Sequence, residues 1–376
     1  MMKYRLMAPG PTPIPESVLT EMAKPIIHHR TPQFCEIVAE VQAGLKWLYQ
    51  TTNDILVLAS SGSGAMEASI VNTCSKGDAI LVVNGGKFGE RFGKISTAFG
   101  LDVDIIDVEW GKAVAASIIE EKLKAKEYRA VCVQSSETST AVGHPIQQIA
   151  SITKKHENTI LIVDAITALG VVNLPTDDWG IDMMIGGSQK ALMLPPGLAT
   201  LSVSETAWNL VEKSDLPKFY FNLKAERKAV KKNTTAWTPT VSLFIGLREV
   251  LRLMKEEGLQ NMFDRHSKLA ESIRAAAKAI GLKLYAPEAP SNAVTAIYAP
   301  EGIDSGKIVT GLRDRFNMTI ANGQDDAKGK IFRIGHLGYY DMFDMVSVWS
   351  AVEKQLHDLG HKFTLGSGVK EIIDRL

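Results

Sequence analysis

Asp182-Met183-Met184-Ile185-Gly186-Gly187-Ser188-Gln189-Lys190-Ala191-Leu192-Met193-Leu194-Pro195-Pro196-Gly197 sets one lysine in an almost uncharged run, after a glycine pair and ahead of a rigid Pro-Pro-Gly turn. Lysine is rarely buried without a partner, and a desolvated ammonium has a lowered pKa. Lys190 is therefore a candidate nucleophilic amine. Twenty-six positions upstream, Leu161-Ile162-Val163-Asp164 reads as a buried strand whose one acid comes at its end. Open α/β sheets bind ligands at the carboxyl ends of their strands, where Asp164 would stand. Taken singly, Asp164 is equally a helix N-cap or a salt-bridged core acid.

Working outward, apolar runs alternate with amphipathic ones. Residues 55–59, 79–83, 103–108, 130–134 and 159–163 read as strands. Residues 65–74, 88–99, 117–126 and 146–156 read as helices between them. This alternation predicts an α/β fold, a mostly parallel sheet flanked by helices, with the strand order not legible. Residues 198–203 add one more strand, and a charged, irregular stretch is expected to run to about 240. A helix over 242–257 carries Leu243, Leu247, Val250, Leu251 and Met254 on one face, with Gly258 as its stop. Helices over 261–279 and 308–316 and strands at 282–284, 294–298 and 331–334 predict a smaller C-terminal α+β domain. Before all of these, Pro9, Pro11, Pro13 and Pro15 exclude helix and predict an extended arm. The expected division is an N-terminal arm (1–16), a large cofactor-binding domain (17–258) and a small domain (259–376).

Two domains suit a chain of 376 residues. Basic and acidic residues balance at 42 each, so no global field draws nucleic acid or a membrane surface. The densest basic run, 224–232, reads as a solvated face. No segment approaches ~18 uninterrupted apolar residues, and the N-terminus lacks a signal-peptide core, so a cytoplasmic location is expected. Cys35, Cys74 and Cys132 are too few and too scattered for a disulfide framework or a zinc site. His28-His29-Arg30 and His336 lack a third metal ligand, and no metal is expected.

Several segments carry chemistry. Gly62-Ser63-Gly64-Ala65 lies at a strand-to-helix junction, where converging N–H groups favour an anion. Alone it is as much a tight turn; beside Lys190 and Asp164 it reads as a phosphate cradle. A Schiff-base lysine with an acid for a pyridinium nitrogen is what pyridoxal 5'-phosphate asks of a protein. Phe88 follows a strand end and could stack on that ring or belong to the core. The Glu137-Thr138-Ser139-Thr140 cluster offers hydroxyls or an ordinary turn. Arg333 sits within an apolar strand pattern and needs an anionic partner, a substrate carboxylate or a structural acid.

Together these segments resemble the class V aminotransferases of the fold-type I pyridoxal-phosphate enzymes, nearest the alanine–glyoxylate and serine–pyruvate branch. The likeness runs from Pro9-Gly10-Pro11-Thr12-Pro13 and His28-His29-Arg30-Thr31-Pro32 to Phe332-Arg333-Ile334-Gly335. It implies a fold-type I transferase and assigns the residues one by one. Lys190 is similar to the Schiff-base lysine, with Gln189 its cofactor-contacting neighbour. Asp164 resembles the ring-nitrogen acid, with Ile166 beneath the ring. Ser63, Gly64 and Ala65 match the phosphate loop, Ser139 a hydroxyl contact and Phe88 the stacking aromatic. Arg333 matches the substrate-carboxylate anchor, and Gly10 lies where the arm approaches substrate. Residues 233–239 are similar to a segment that reaches a partner subunit's phosphate through Thr234, Thr235 or Thr238. The likeness also implies a homodimer with its sites at the interface.

The implied activity is transfer of an amino group from alanine or serine to glyoxylate or pyruvate, with Lys190 as Schiff-base lysine and general base. An aminophosphonate transaminase or a lyase on the same scaffold is an alternative. A cysteine desulfurase is disfavoured because no cysteine follows Cys132. A nicotinamide dehydrogenase is disfavoured by Gly-x-Gly-x-x-Glu where Gly-x-Gly-x-x-Gly is wanted. A non-catalytic partner, such as a hydrogenase-associated subunit, stays open, although Lys190, Asp164 and Arg333 argue against it.

Overall fold

The computed structural model describes residues 2–376. Its strands begin with β1 (Arg5–Leu6), β2 (Ile55–Leu58), β3 (Ala79–Asn84), β4 (Asp102–Asp107) and β5 (Ala130–Gln134). A short hairpin, β6 (Ser136–Glu137) and β7 (Val142–Gly143), precedes β8 (Ile160–Asp164), β9 (Met183–Gly187) and β10 (Ala199–Val203). The central seven-stranded sheet runs β2-β10-β9-β8-β5-β3-β4. Only β10 runs against its neighbours.

Strands β2, β5, β8, β9 and β10 are buried at every residue, which is why they read as unbroken apolar runs. The edge strand β4 carries Asp102, Asp104 and Asp107 and is largely open to solvent. Alternate residues divide between the two faces. Val57, Leu81, Val131 and Leu161 join one core, while Leu56, Ile80, Cys132 and Ile162 join the other. Cys74 and Cys132 belong to the second core, and burial pushes the Cys74 thiol up to about 12.

Four helices lead into the sheet: α1 (Glu16–Met22), α2 (Pro32–Tyr49), α3 (Gly62–Thr73) and α4 (Lys87–Ala98). The 18-residue α2 has no counterpart among the expected elements, though its signals are ordinary. Thr31 accepts from the Phe34 amide, Pro32 stands at the first helical position, and Phe34, Ile37, Val38, Val41, Leu45 and Leu48 face the core. Helix α3 starts at Gly62, three residues before expectation, so the Gly-Ser-Gly segment is the first turn of a helix. The stretch expected to be irregular contains helices Glu205–Val211 and Leu223–Val230. The basic run falls on the second, where Arg227 pairs with Glu205 and lies 4.2 Å over the Trp208 ring.

Towards the C-terminus, β11 (Val294–Tyr298), β13 (Ala321–Asn322) and β14 (Ile331–Gly335) form an antiparallel sheet in the order β11-β14-β13. The strand expected at 282–284 reduces to a single bridge, Leu284 to Ile297. Helix Met342–Asp358, opened by an Asp341–Asp344 capping box, packs here and has no counterpart among the expected elements. The proline-rich arm does not float free: β1 pairs in parallel with β12 (Met318–Thr319), and Gly335 donates to Met7 O.

One glycine sets how closely α4 approaches the sheet. A Cβ at Gly89 would lie 2.4 Å from Val83 O and 2.8 Å from Asn84 Cα, both backbone atoms that cannot yield. Gly89→Ala should therefore lift the start of α4 off β3 and cost about 1–3 kcal/mol. A lower urea midpoint at unchanged slope is the expected result; an unchanged midpoint contradicts it.

Candidate active site

Chain reversals after β2, β3, β5, β8 and β9 all meet at the carboxyl edge of the sheet. They bring Ser63, Phe88, Ser139, Asp164 and Lys190 to the place where open sheets of this kind bind ligands. Local chemistry then fixes each side chain.

Lys190 follows β9 and is 9% exposed. Its loop is pinned by Ser188, whose hydroxyl donates to Pro195 O and accepts from the Leu198 amide. The Lys190 amine donates to Pro9 O at 2.5 Å, and Thr12 Oγ1 donates to Lys190 O at 2.7 Å. The arm thus lies directly against the lysine. Gly10 is the point of closest approach: its φ is +127°, and a Cβ there would sit 2.5 Å from Lys190 Nζ. Burial brings the Lys190 pKa down to about 8, with the Asp164 charge opposing and the Arg333 and Arg91 charges assisting.

Asp164 ends β8, and its Oδ1 accepts from the Ile166 amide at 2.9 Å. Burial pushes its carboxyl up to about 7 against that hydrogen bond. Ile166 packs against both glycine-bearing turns. A Cβ at Gly62 would lie 2.2 Å from Ile166 Cδ1, and one at Gly187 would lie 3.0 Å from Ile166 Cγ2. Beside Lys190, the Gln189 Oε1 atom is buried and has no hydrogen-bond partner.

Arg333, in the middle of β14, is buried without a salt bridge. Its Nε and Nη2 donate to Asn322 O at 3.0 and 2.8 Å, and its Nη1 donates to Thr138 O at 2.8 Å. A guanidinium has five N–H donors, so one remains on each terminal nitrogen. That pair forms a fork suited to a carboxylate. Burial pushes the Arg333 pKa down to about 10, with the Glu137 charge opposing.

Glu137 lies in the cluster quoted from the sequence, but only its hydroxyl neighbours carry an expected role there. Fully buried, it accepts through Oε2 from the Phe88 and Gly89 amides at 3.0 and 3.1 Å. Its Oε1 accepts from the Ser139 amide at 3.1 Å and hydroxyl at 2.5 Å. Ser139 Oγ accepts in turn from the Lys87 amide at 3.0 Å. One carboxylate therefore caps α4 and fixes both Phe88 and Ser139. The available signal was its isolation, as the only charge between residues 130 and 143.

The α3 N-terminus has no side-chain cap from Ser61; the Gly64 amide donates to Ser61 O at 2.9 Å, leaving the Gly62 and Ser63 amides for an anion. Arg91, one turn into α4, donates from Nη1 to Ser63 Oγ at 2.9 Å and lies 4.9 Å over the Phe88 ring. Thr234 and Thr235 hydrogen-bond elsewhere, Thr234 accepting from Arg30 and Thr235 donating to Trp237 O. His336 is held in the core by Thr295 and Asn292 O, and Tyr339 donates to Glu16. Among the described residues no group of three or more His, Cys, Asp or Glu side chains could hold a metal ion.

Residues 5–338 match the model of the aminotransferase class-V family. The chain belongs to that family. It is 45% identical to the soluble hydrogenase small subunit of Synechococcus sp. (strain PCC 6716), over 98% of this chain and 97% of that one. It is 37% identical to the L-aspartate–glyoxylate aminotransferase of Paracoccus denitrificans (strain Pd 1222), covering 97% and 94%. Its fold superposes on the ureidoglycine-glyoxylate aminotransferase of Bacillus subtilis with a TM-score of 0.96 at 28% identity, over 100% and 98% of the two chains. The fold is thus that of the fold-type I aminotransferases, and pyridoxal 5'-phosphate is the cofactor. The residues present fit it: a buried amine at Lys190, a buried acid at Asp164, an unpartnered amide oxygen at Gln189 and an uncapped helix start at α3.

The lysine's environment can be read directly. In cofactor-free protein, reaction of Lys190 with an amine acylating reagent should rise with pH through a midpoint near 8. Asp164→Asn removes the charge that opposes this shift, so it should move the midpoint lower still. Peptide mapping by mass spectrometry checks both; a midpoint near the ordinary 10.5 contradicts the burial argument.

Proposed function

We propose that this class V aminotransferase moves an amino group from a small L-amino acid, alanine or serine, to glyoxylate or pyruvate. The observation that carries the reading is the Arg333 fork, with two N–H groups unpaired beside a buried amine. A carboxylate common to amino and oxo acids satisfies that fork. The glyoxylate in the names of the Paracoccus and Bacillus aminotransferases supports the acceptor.

In this reading Lys190 holds the cofactor's aldehyde end, and Gln189, Ser139, Phe88 and Ile166 frame its ring. Ser63, Gly64 and Ala65 cradle its phosphate. When bound, pyridoxal phosphate supplies a carbonyl that takes up the amino group and a ring that accepts an electron pair. Asp164 keeps a proton on the ring nitrogen, since a facing cation favours its carboxylate over the neutral form that burial alone promotes. Arg333 fixes the substrate carboxylate and so aims the Cα–H bond. Lys190 Nζ is the base that takes the Cα proton, and its lowered pKa leaves a useful neutral fraction at physiological pH. Gly10, where the arm comes closest to Lys190, would meet the substrate on that side.

The same reading makes the protein a homodimer built from a large domain (17–258) and a small domain (259–376). Phe219, 78% exposed, stacks with Trp237 at 5.1 Å, and such an aromatic pair on the surface suits burial by a second copy. The adjoining Thr234 and Thr235 would then reach the partner's phosphate cradle. No helix among the described residues is long and apolar enough to cross a membrane.

A second reading is favoured by one observation, the hydrogenase-subunit name carried by the 45% identical relative. It makes the chain a partner subunit without turnover. Loaded protein assayed against a matrix of amino donors with glyoxylate and pyruvate separates the two: turnover supports the transaminase, and its absence with every pair supports the partner. Where turnover is found, Arg333→Ala should lower kcat/KM by ~100-fold, the scale of two hydrogen bonds to a charged group. A loss of less than about threefold would remove Arg333 from the substrate site.

A further inference from the structure

The phosphate of the cofactor carries negative charge into a turn whose own groups, Ser63, Gly64 and Ala65, are all neutral. A helix N-terminus supplies about half a positive charge, too little to balance a phosphate dianion. Of the basic residues that open α4, Lys87 is already committed, in salt bridges to Glu90 and, at 2.6 Å, to Asp325. Lys94 is paired with Glu90 as well. Arg91 has no salt-bridge partner among the described residues. It is the charged side chain that hydrogen-bonds the opening turn of α3, through Ser63 Oγ. Standing one turn after Phe88, it keeps its guanidinium over that ring. Its charge also reaches the interior of the site, lowering the pKa of both Lys190 and Asp164.

We propose that Arg91 is the cation for the cofactor's phosphate: bridging Ser63 and the Phe88 ring, its guanidinium closes the α3 cradle from the α4 side. This rests on the assignment of Ser63, Gly64 and Ala65 as the phosphate cradle. The chemistry suits the geometry. The Nη1 that meets Ser63 Oγ leaves the rest of a planar fork for phosphate oxygens, and stacking on Phe88 holds the plane of that fork. Arg91 thereby couples the two ends of the cofactor. The ring would lie against Phe88 and the phosphate against Ser63, and Arg91 touches both residues.

The test compares pyridoxal 5'-phosphate with pyridoxal, which has the same ring and aldehyde but no phosphate. Dissociation constants for both are measured by quenching of protein fluorescence, on the full-length wild type and on Arg91→Met and Arg91→Lys. Arg91→Met should weaken pyridoxal 5'-phosphate on the order of ten- to a hundredfold, the range for hydrogen bonds to a charged group, and leave pyridoxal within about twofold. Arg91→Lys should recover part of the loss, since it restores charge without the fork. Equal weakening of both compounds would overturn the proposal, because Arg91 would then act only through Phe88 and the ring. Unchanged binding of pyridoxal 5'-phosphate would overturn it too. If the wild type bound neither compound, or both equally well, the cradle assignment itself would fall and the proposal with it.

Discussion

Desolvation of one amine organises this molecule. Lys190 can be held out of water only because the loop after β9 is locked by Ser188 and the arm supplies Pro9 O as an acceptor. The arm can approach that closely only because residue 10 is glycine with φ of +127°. Its path is set in turn by β1 pairing with β12 and by the Gly335 amide, so the C-terminal sheet that carries Arg333 also positions the cover over Lys190. Arg333 and the Lys190 amine are therefore located by one set of contacts. The spacing between them is a property of the fold and does not depend on flexible side chains alone.

Two buried groups of opposite sign near neutrality give the cofactor-free protein a distinctive pH response. Between 3.8 and about 7 the folded chain keeps an Asp164 proton that the unfolded chain has lost, so this group's contribution to stability falls as pH rises. Between about 8 and 10.5 the unfolded chain keeps a Lys190 proton that the folded chain has shed, so this contribution rises with pH. The interval between them is where both groups are charged and least comfortable. In the proposed roles, cofactor binding would address both at once, by engaging the amine and by facing the acid with a cation. A ligand that binds only the folded state also stabilises it by mass action. Gln189 Oε1 and two Arg333 N–H groups are further polar groups of the site without a hydrogen-bond partner in the protein.

Much of this was legible in the sequence, for physical reasons. Strands buried on both faces leave continuous apolar runs, so β2, β3, β5, β8 and β10 were readable, and the lysine and acid stood out against uncharged surroundings. Helix α2 is hard to read because its start lies in a polar, proline-bearing segment and no strand precedes it at the usual spacing. Helices Glu205–Val211 and Leu223–Val230 were hidden by charge, since each buries only a short apolar face. Glu137 and Arg91 were less legible still. Their importance comes from contacts across the sheet edge, to the Phe88 amide and to Ser63 Oγ, which no local pattern encodes. The strand order, with β10 reversed between β2 and β9, likewise depends on pairing between distant segments.

The central claim is that the Lys190 amine is the atom joined to the cofactor. Borohydride reduction of protein loaded with pyridoxal 5'-phosphate, followed by peptide mapping, tests it in one measurement. A phosphopyridoxyl group on the peptide bearing Lys190, at this residue, is the predicted result. The same group on another lysine, or on none, would contradict the account.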